Sequence, residues 1–245
     1  MQDVTIKMEK LDFRSKEAFK TLRTNIEFSG NKIKCVFFTS TIPNEGKSTV
    51  AFETAASFAE SGRKTLFVDA DLRKSVLRNR YKTGRIQFGF SHYLIGKNEF
   101  EDVICETNVS NLYLVFAGPI PPNPSELLIG DRFAEFIKQA KKEFDYIIID
   151  APPVGSVIDA AIISTQCNGG ILVVGSGETS YRYARKTKEQ LEKAGCKILG
   201  CVLNKASVGG KGYYGKYYGR YYGKYYGKYY GKYYGNYYGN EEDNQ

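Results

Sequence analysis

The sequence predicts an α/β fold of three layers, a mainly parallel central sheet flanked by helices, on three observations. Apolar runs of strand length alternate with stretches of helical periodicity from about residue 33 to residue 203. The run Tyr146-Ile147-Ile148-Ile149 is unbroken by polar residues, the mark of a strand buried on both faces. Residues 36–50, VFFTSTIPNEGKSTV, read as strand, polar turn and helix, the order a phosphate-binding loop requires.

Taken in order, the chain starts extended, and Ser15 is the expected cap of a helix SKEAFKTLRTNIEF with Ala18, Leu22 and Ile26 on one stripe. Glu17, Lys20 and Arg23 fall along one side of it. Spacing alone makes them a solvated edge, with pairs worth about 0.2–0.5 kcal/mol each. A strand at 33–39 leads into the loop, and the helix after it runs to Ser61 with Gly62 as its stop. The strand at 65–68 runs straight into Asp69-Ala70-Asp71-Leu72-Arg73. Residues 76–89 read as loop or frayed helix, SHYLIG and FEDVICE as two short helices, and NLYLVFAG as a strand. Four prolines within 118–124 enforce an extended connection, after which Ser125 is expected to cap one long helix, SELLIGDRFAEFIKQAKKEF. Beyond the strand ending in Asp150-Ala151-Pro152-Pro153, a helix at 157–166, a strand at 171–174, a helix at 181–194 and a strand at 198–203 complete the series.

The loop residues Thr41, Pro43, Asn44, Glu45, Gly46, Lys47, Ser48 and Thr49 are candidates for holding nucleotide phosphates. Loop amides and the positive end of the helix face an anion, Lys47 adds a mobile cation, and the Ser48 hydroxyl suits magnesium. Thr41 stands where the pattern G-x-x-x-x-G-K-[ST] begins with glycine. Asp69, Asp71 and Asp150 arrive at the carboxyl edge of the sheet, where α/β folds bind ligands. There they are metal ligands and proton acceptors; the competing reading makes them turn formers or caps. Asn204 either hydrogen-bonds a purine ring or simply ends the last strand.

Composition narrows the class. Of the formal charge of +8, six basic residues (Lys211, Lys216, Arg220, Lys224, Lys228 and Lys232) lie in the tail, and no helix carries a continuous basic face, so nucleic acid is not expected as a partner. Five cysteines form no C-x-x-C pair and the one histidine is His92, which argues against zinc and for a reducing compartment. The N-terminus lacks an apolar signal core, and the longest uncharged stretch, 160–177, is interrupted by polar residues, so no membrane span is expected.

Residues 212–239 repeat Tyr-Tyr-Gly followed by Lys, Arg or Asn. Glycine at every fourth position and the lack of aliphatic residues predict a flexible, disordered tail. It reads as a stacking platform for single strands, as a self-associating segment, or as a phosphoacceptor array. The phosphate loop in the same chain favours the last. The acceptors are then Tyr213, Tyr214, Tyr217, Tyr218, Tyr221, Tyr222, Tyr225, Tyr226, Tyr229, Tyr230, Tyr233, Tyr234, Tyr237 and Tyr238. The expected division is an N-terminal segment and helix at 1–30, a P-loop kinase domain at 31–208 and the tail at 209–245.

These residues together resemble the bacterial tyrosine kinases of capsule and exopolysaccharide synthesis, in the form of the separate cytoplasmic kinase subunit of Gram-positive bacteria. The resemblance rests on the loop at 41–49, the D-x-D-x-R segment at 66–73, the D-x-P segment at 147–152, GPIPPNPSELL at 118–128 and the tyrosine cluster. It implies a P-loop NTPase-like fold and a protein-tyrosine autokinase using ATP and Mg2+. Lys47 then contacts the β and γ phosphates, Ser48 and Asp150 serve the magnesium, Asp71 supports it and Asp69 is the candidate base. Glu17, Lys20 and Arg23 match that family's E-x-x-R-x-x-R subunit contact, with lysine for the first arginine. The implied partners are further copies in a ring that phosphorylates tails in trans, a transmembrane adaptor that recruits the chain to the inner face of the plasma membrane, and a tyrosine phosphatase. The alternative is a partitioning or septum-positioning ATPase, whose extra loop lysine is missing here, since none occurs between Val36 and Gly46. A scaffold module would leave three aspartates without a purpose.

Overall fold

The computed structural model describes residues 1–81, 86–155 and 158–206. Its elements, in chain order, are β1 (Gln2–Val4), α1 (Phe13–Phe28), β2 (Cys35–Ser40), α2 (Lys47–Glu60), β3 (Thr65–Asp69), α3 (Leu77–Tyr81), α4 (Phe90–Leu94), α5 (Phe100–Val103), β4 (Cys105–Thr107), β5 (Leu112–Val115), α6 (Pro124–Ile129), α7 (Asp131–Glu143), β6 (Tyr146–Asp150), α8 (Asp159–Ser164), β7 (Gly169–Gly175), α9 (Tyr181–Lys193) and β8 (Ile198–Asn204). The strands form one sheet in the order β1-β4-β5-β3-β6-β2-β7-β8. All neighbours are parallel except β4 and β5.

β2, β3 and β7 are buried along their whole length, and β6 from Ile147 onward. Their period of two sends alternate side chains into separate cores. Phe37, Ile147 and Ile149 pack on one face of the sheet, and Val36, Phe38 and Ile148 on the other. Each such side chain contributes about 1.5–3 kcal/mol on burial. Gly170 is required in β7 because the Phe37 ring lies where a Cβ would stand.

Several local expectations need correction. The cap of α1 is Asp12, whose carboxylate accepts the Ser15 N–H at 2.8 Å, so the helix starts two residues before Ser15. FEDVICE is a single helical turn followed by strand: β4 begins at Cys105 and pairs with both β1 and β5. The expected long helix after the prolines is two, because Gly130 takes an extended conformation (φ −63°, ψ 158°) that ends α6 and caps α7. Pro124, rather than Ser125, opens α6, at the position where its missing N–H costs nothing.

The path of the chain creates the site. From β2 it passes through α2 to β3, and β6 later fills the gap between those two strands. Asp69 and Asp150 are register partners at the carboxyl ends of β3 and β6, and Phe38 of β2 pairs with Asp150 on the other side. The phosphate loop therefore opens beside two strand-end carboxylates.

Candidate active site

Gly46 caps α2 in the left-handed region (φ 88°), and a Cβ there would collide with the Asn204 side chain. The first helical amide to bond within α2 is that of Val50, to the Gly46 carbonyl at 3.0 Å, which leaves the preceding amides for an anion. Thr39 and Ser40 fasten the strand below the loop, the Thr39 hydroxyl donating to the Pro152 carbonyl (2.7 Å) and the Ser40 carbonyl accepting from Val154 (2.9 Å). The loop is thus braced by the segment that follows Asp150.

Lys47, Asp69, Asp71 and Asp150 are all buried. The Lys47 ammonium lies 3.1 Å from Asp71 Oδ2, 3.1 Å from Asp150 Oδ1 and 3.2 Å from Ser48 Oγ. Burial alone would lower the pKa of Lys47, but the facing charges of Asp150 and Asp71 outweigh it and hold the ammonium form. Burial raises Asp150, against the opposing pull of Lys47 and Ser48. Asp69 rises to about 7, chiefly through burial and then through the charge of Asp150. Its two oxygens are occupied: Oδ1 accepts the Asp71 N–H at 3.3 Å and Oδ2 the Ser75 hydroxyl at 2.5 Å.

Ser75 belongs to none of the motifs in the sequence; only the fold of the short loop after Asp71 brings it back onto Asp69. Because its hydroxyl stabilises the ionised carboxylate, Ser75→Ala is expected to raise the pKa of Asp69 further. The acid limb of a pH–rate profile for tyrosine phosphorylation should move to higher pH, and an unmoved limb would contradict this role for Ser75.

Asp159 was equally silent in the sequence. It is fully buried at the start of α8 and accepts Arg73 Nε at 2.8 Å, Arg73 Nη2 at 3.2 Å and Ser125 Oγ at 2.6 Å. One carboxylate thereby joins the D-x-D-x-R segment to the proline-rich segment and to the helix after Asp150. An acidic residue opening a helix usually reads as a partner of the helix dipole, so only the fold reveals this role.

Other predicted positions are placed as follows. Asn204 donates its amide to the Glu45 carbonyl (2.9 Å), and Thr49 accepts a bond from Arg80. The Asn44 carbonyl accepts Lys205 Nζ at 2.6 Å. The Glu45 carboxylate points into the protein rather than across the loop. On α1, Glu17 and Lys20 pair with each other at 2.7 Å while remaining exposed, and Arg23 turns onto α2, donating to the Ser57 carbonyl at 2.8 Å. The tail tyrosines from Tyr213 to Tyr238 lie outside the described residues.

Among the described residues no three His, Cys, Asp or Glu side chains are grouped to hold a metal ion by themselves. The set still fits magnesium, which binds through one or two carboxylates together with nucleotide oxygens and water rather than in an all-protein cage. The buried carboxylates around Lys47, beside the amides that open α2, supply that chemistry.

A phosphate loop and strand-end carboxylates on a mainly parallel sheet define a P-loop nucleotide-binding protein. The profile of the AAA domain family matches residues 44–181. The tyrosine-protein kinase CpsD of Streptococcus agalactiae is 47% identical over 209 residues, covering 83% of this chain and 91% of that protein. The kinase domain of the Escherichia coli tyrosine kinase ETK superposes with a TM-score of 0.74 at 29% identity, over 86% of this chain and 93% of that one. The septum site-determining protein MinD of Pyrococcus horikoshii, complexed with Mg-ADP, is more distant, with a TM-score of 0.63 at 27% identity over 72% of each chain. The chain belongs to the family of bacterial tyrosine-protein kinases of capsule synthesis, and it is a protein-tyrosine kinase. The septum-positioning alternative is only a distant likeness.

Proposed function

We propose that the chain is an ATP- and Mg2+-dependent autokinase that phosphorylates the tyrosine repeat of a neighbouring copy, and through it regulates capsular or exopolysaccharide synthesis and export. The observation that carries this reading is the convergence of Lys47 and three buried carboxylates beside the amides of α2, in a chain that bears fourteen tail phenols. When bound, MgATP supplies the transferable phosphoryl group and part of the neutralising charge.

The chain's own residues do the rest. The amides opening α2 bind phosphate oxygens, and Lys47 leaves its carboxylates to follow the developing charge. Ser48 and Asp150 hold the cation, with Asp71 in support. Asp69 accepts the phenolic proton, a transfer helped by a carboxylate held near neutrality rather than at its ordinary value. A tyrosine of pKa ~10 is only about one part in a thousand ionised at pH 7, so the acceptor matters.

We further propose that the chain assembles into a ring whose contact includes Glu17, Lys20 and Arg23. A transmembrane adaptor brings it to the inner face of the plasma membrane, and a tyrosine phosphatase resets the tail. Among the described residues no helix is long and apolar enough to cross a membrane. Glu17→Ala removes the exposed partner of Lys20 and is expected to shift the assembly toward smaller species in light scattering, with less transfer between copies. An unchanged size distribution would remove Glu17 from the contact. Incubation of the chain with labelled ATP, followed by mass mapping, tests the function itself: phosphate on the tail tyrosines supports it, and free phosphate alone turns the protein into an ATPase.

A further inference from the structure

Glu45 is a fully buried carboxylate inside the phosphate loop, yet nothing in the kinase chemistry above uses it. Its Oε2 accepts the backbone N–H of Thr41 at 2.7 Å and of Ile42 at 2.9 Å. Its Oε1 accepts the Gly175 N–H at 2.9 Å and the Thr179 hydroxyl at 2.6 Å. An ionised carboxylate offers about four acceptor sites, and four donors fill them here. Three of those donors are peptide groups from two separate segments, the start of the loop and the end of β7. The backbone of the same residue is held as well, its carbonyl accepting the Asn204 amide at 2.9 Å.

We propose that Glu45 is a positioning residue for nucleotide binding: an internal anion that fixes the first half of the phosphate loop and ties it to the ends of β7 and β8. The proposal rests on the nucleotide reading of the loop and extends it to how this loop works without its first glycine. Thr41 occupies that position, and its N–H is turned inward onto Glu45 rather than toward a ligand. With Thr41 and Ile42 held from behind, the amides that open α2 keep the outward arrangement a phosphate needs. A loop already in its bound form pays less ordering entropy when the nucleotide arrives. Four donated hydrogen bonds offset the negative charge of the carboxylate within the loop. The strut also links the two ends of the nucleotide site, since Gly175, Thr179 and Asn204 stand on the strand ends and connection beside the loop.

The test is direct binding of ADP to the full chain, measured by calorimetry on the wild type, Glu45→Gln, Thr179→Val and the double variant. Glutamine keeps the size of the side chain but brings an NH2 group against N–H donors. The expected result is ADP affinity weakened about tenfold or more in Glu45→Gln and about threefold in Thr179→Val. The double variant should be no weaker than Glu45→Gln, because the hydroxyl acts through the carboxylate. Kinetics of tail phosphorylation should show the loss in KM for ATP, with kcat at saturating ATP within about threefold of wild type. A residue that only supports the fold would lower the unfolding temperature without that split. Wild-type ADP affinity in a folded Glu45→Gln overturns the proposal, as does an additive loss in the double variant. If Glu45→Gln does not fold, Thr179→Val decides: wild-type affinity there overturns the role. Absence of ADP binding by the wild-type chain would instead sink the nucleotide reading itself.

Discussion

Lys47→Met is expected to abolish tyrosine phosphorylation, with a loss on the order of a thousandfold or more, and to destabilise the free protein at the same time. The first effect follows from removing the Lys47 ammonium at the start of α2. The second follows from the ion pairs of Lys47 with Asp71 and Asp150, both at 3.1 Å in a buried site. Without the ammonium those carboxylates face each other and Asp69 in low dielectric, and leaving a buried charge uncompensated costs about 3 kcal/mol. Thermal unfolding without nucleotide should therefore show a midpoint lowered by several degrees, and added MgADP should restore part of it. An unchanged midpoint would mean that the carboxylates simply take up protons or water in place of the lysine.

Asp69→Asn is expected to have opposite effects on activity and on stability. Removing the proposed proton acceptor should lower the rate on the order of a hundredfold or more. Stability moves the other way at alkaline pH. The carboxyl of Asp69 is raised from 3.8 to about 7 in the folded protein, so the folded state keeps a proton that the unfolded chain releases between those values. Stability then falls as pH rises from about 4 to about 7 and levels off above, with a total cost on the order of 4 kcal/mol in metal-free protein. Asparagine cannot ionise, so the variant should unfold at a higher temperature than wild type at pH 8 and lose that part of the pH slope. A variant less stable than wild type at pH 8, with an unaltered slope, would contradict the assignment. With Asp69 as the proposed base, activity of the wild type is expected to rise as pH rises through about 7.

The parts of this architecture written in strong local patterns were legible in the sequence. The isoleucine run of β6 and its terminal Asp150, the strand-loop-helix around Lys47, and Asp69 at the end of β3 all follow from periodicity and residue type. Weak or competing signals hid the rest. Cys105–Thr107 is too short to show a period, and becomes a strand only because β1 and β5 flank it. The apolar periodicity of 125–144 runs on across Gly130, which masks the break there. Asp159, Ser75 and the inward turn of Glu45 depend on contacts between residues far apart in sequence or on the folding of a short loop, and no spacing rule reports them. The place of Glu45 in the loop makes it a candidate for holding phosphates, and its carboxylate hydrogen-bonds inward to Thr41, Ile42, Gly175 and Thr179.

On the proposed function, phosphate passes from the site of one copy to the tail of another. Two distinguishable copies expressed together in the native host test it most directly: Lys47→Met with its tail intact, and a copy with an intact site whose fourteen tail tyrosines are replaced by phenylalanine. Phosphosite mapping should find phosphate on the tail tyrosines of the Lys47→Met copy. Tails that remain unmodified there, while wild-type chains in the same host are phosphorylated, would contradict transfer in trans.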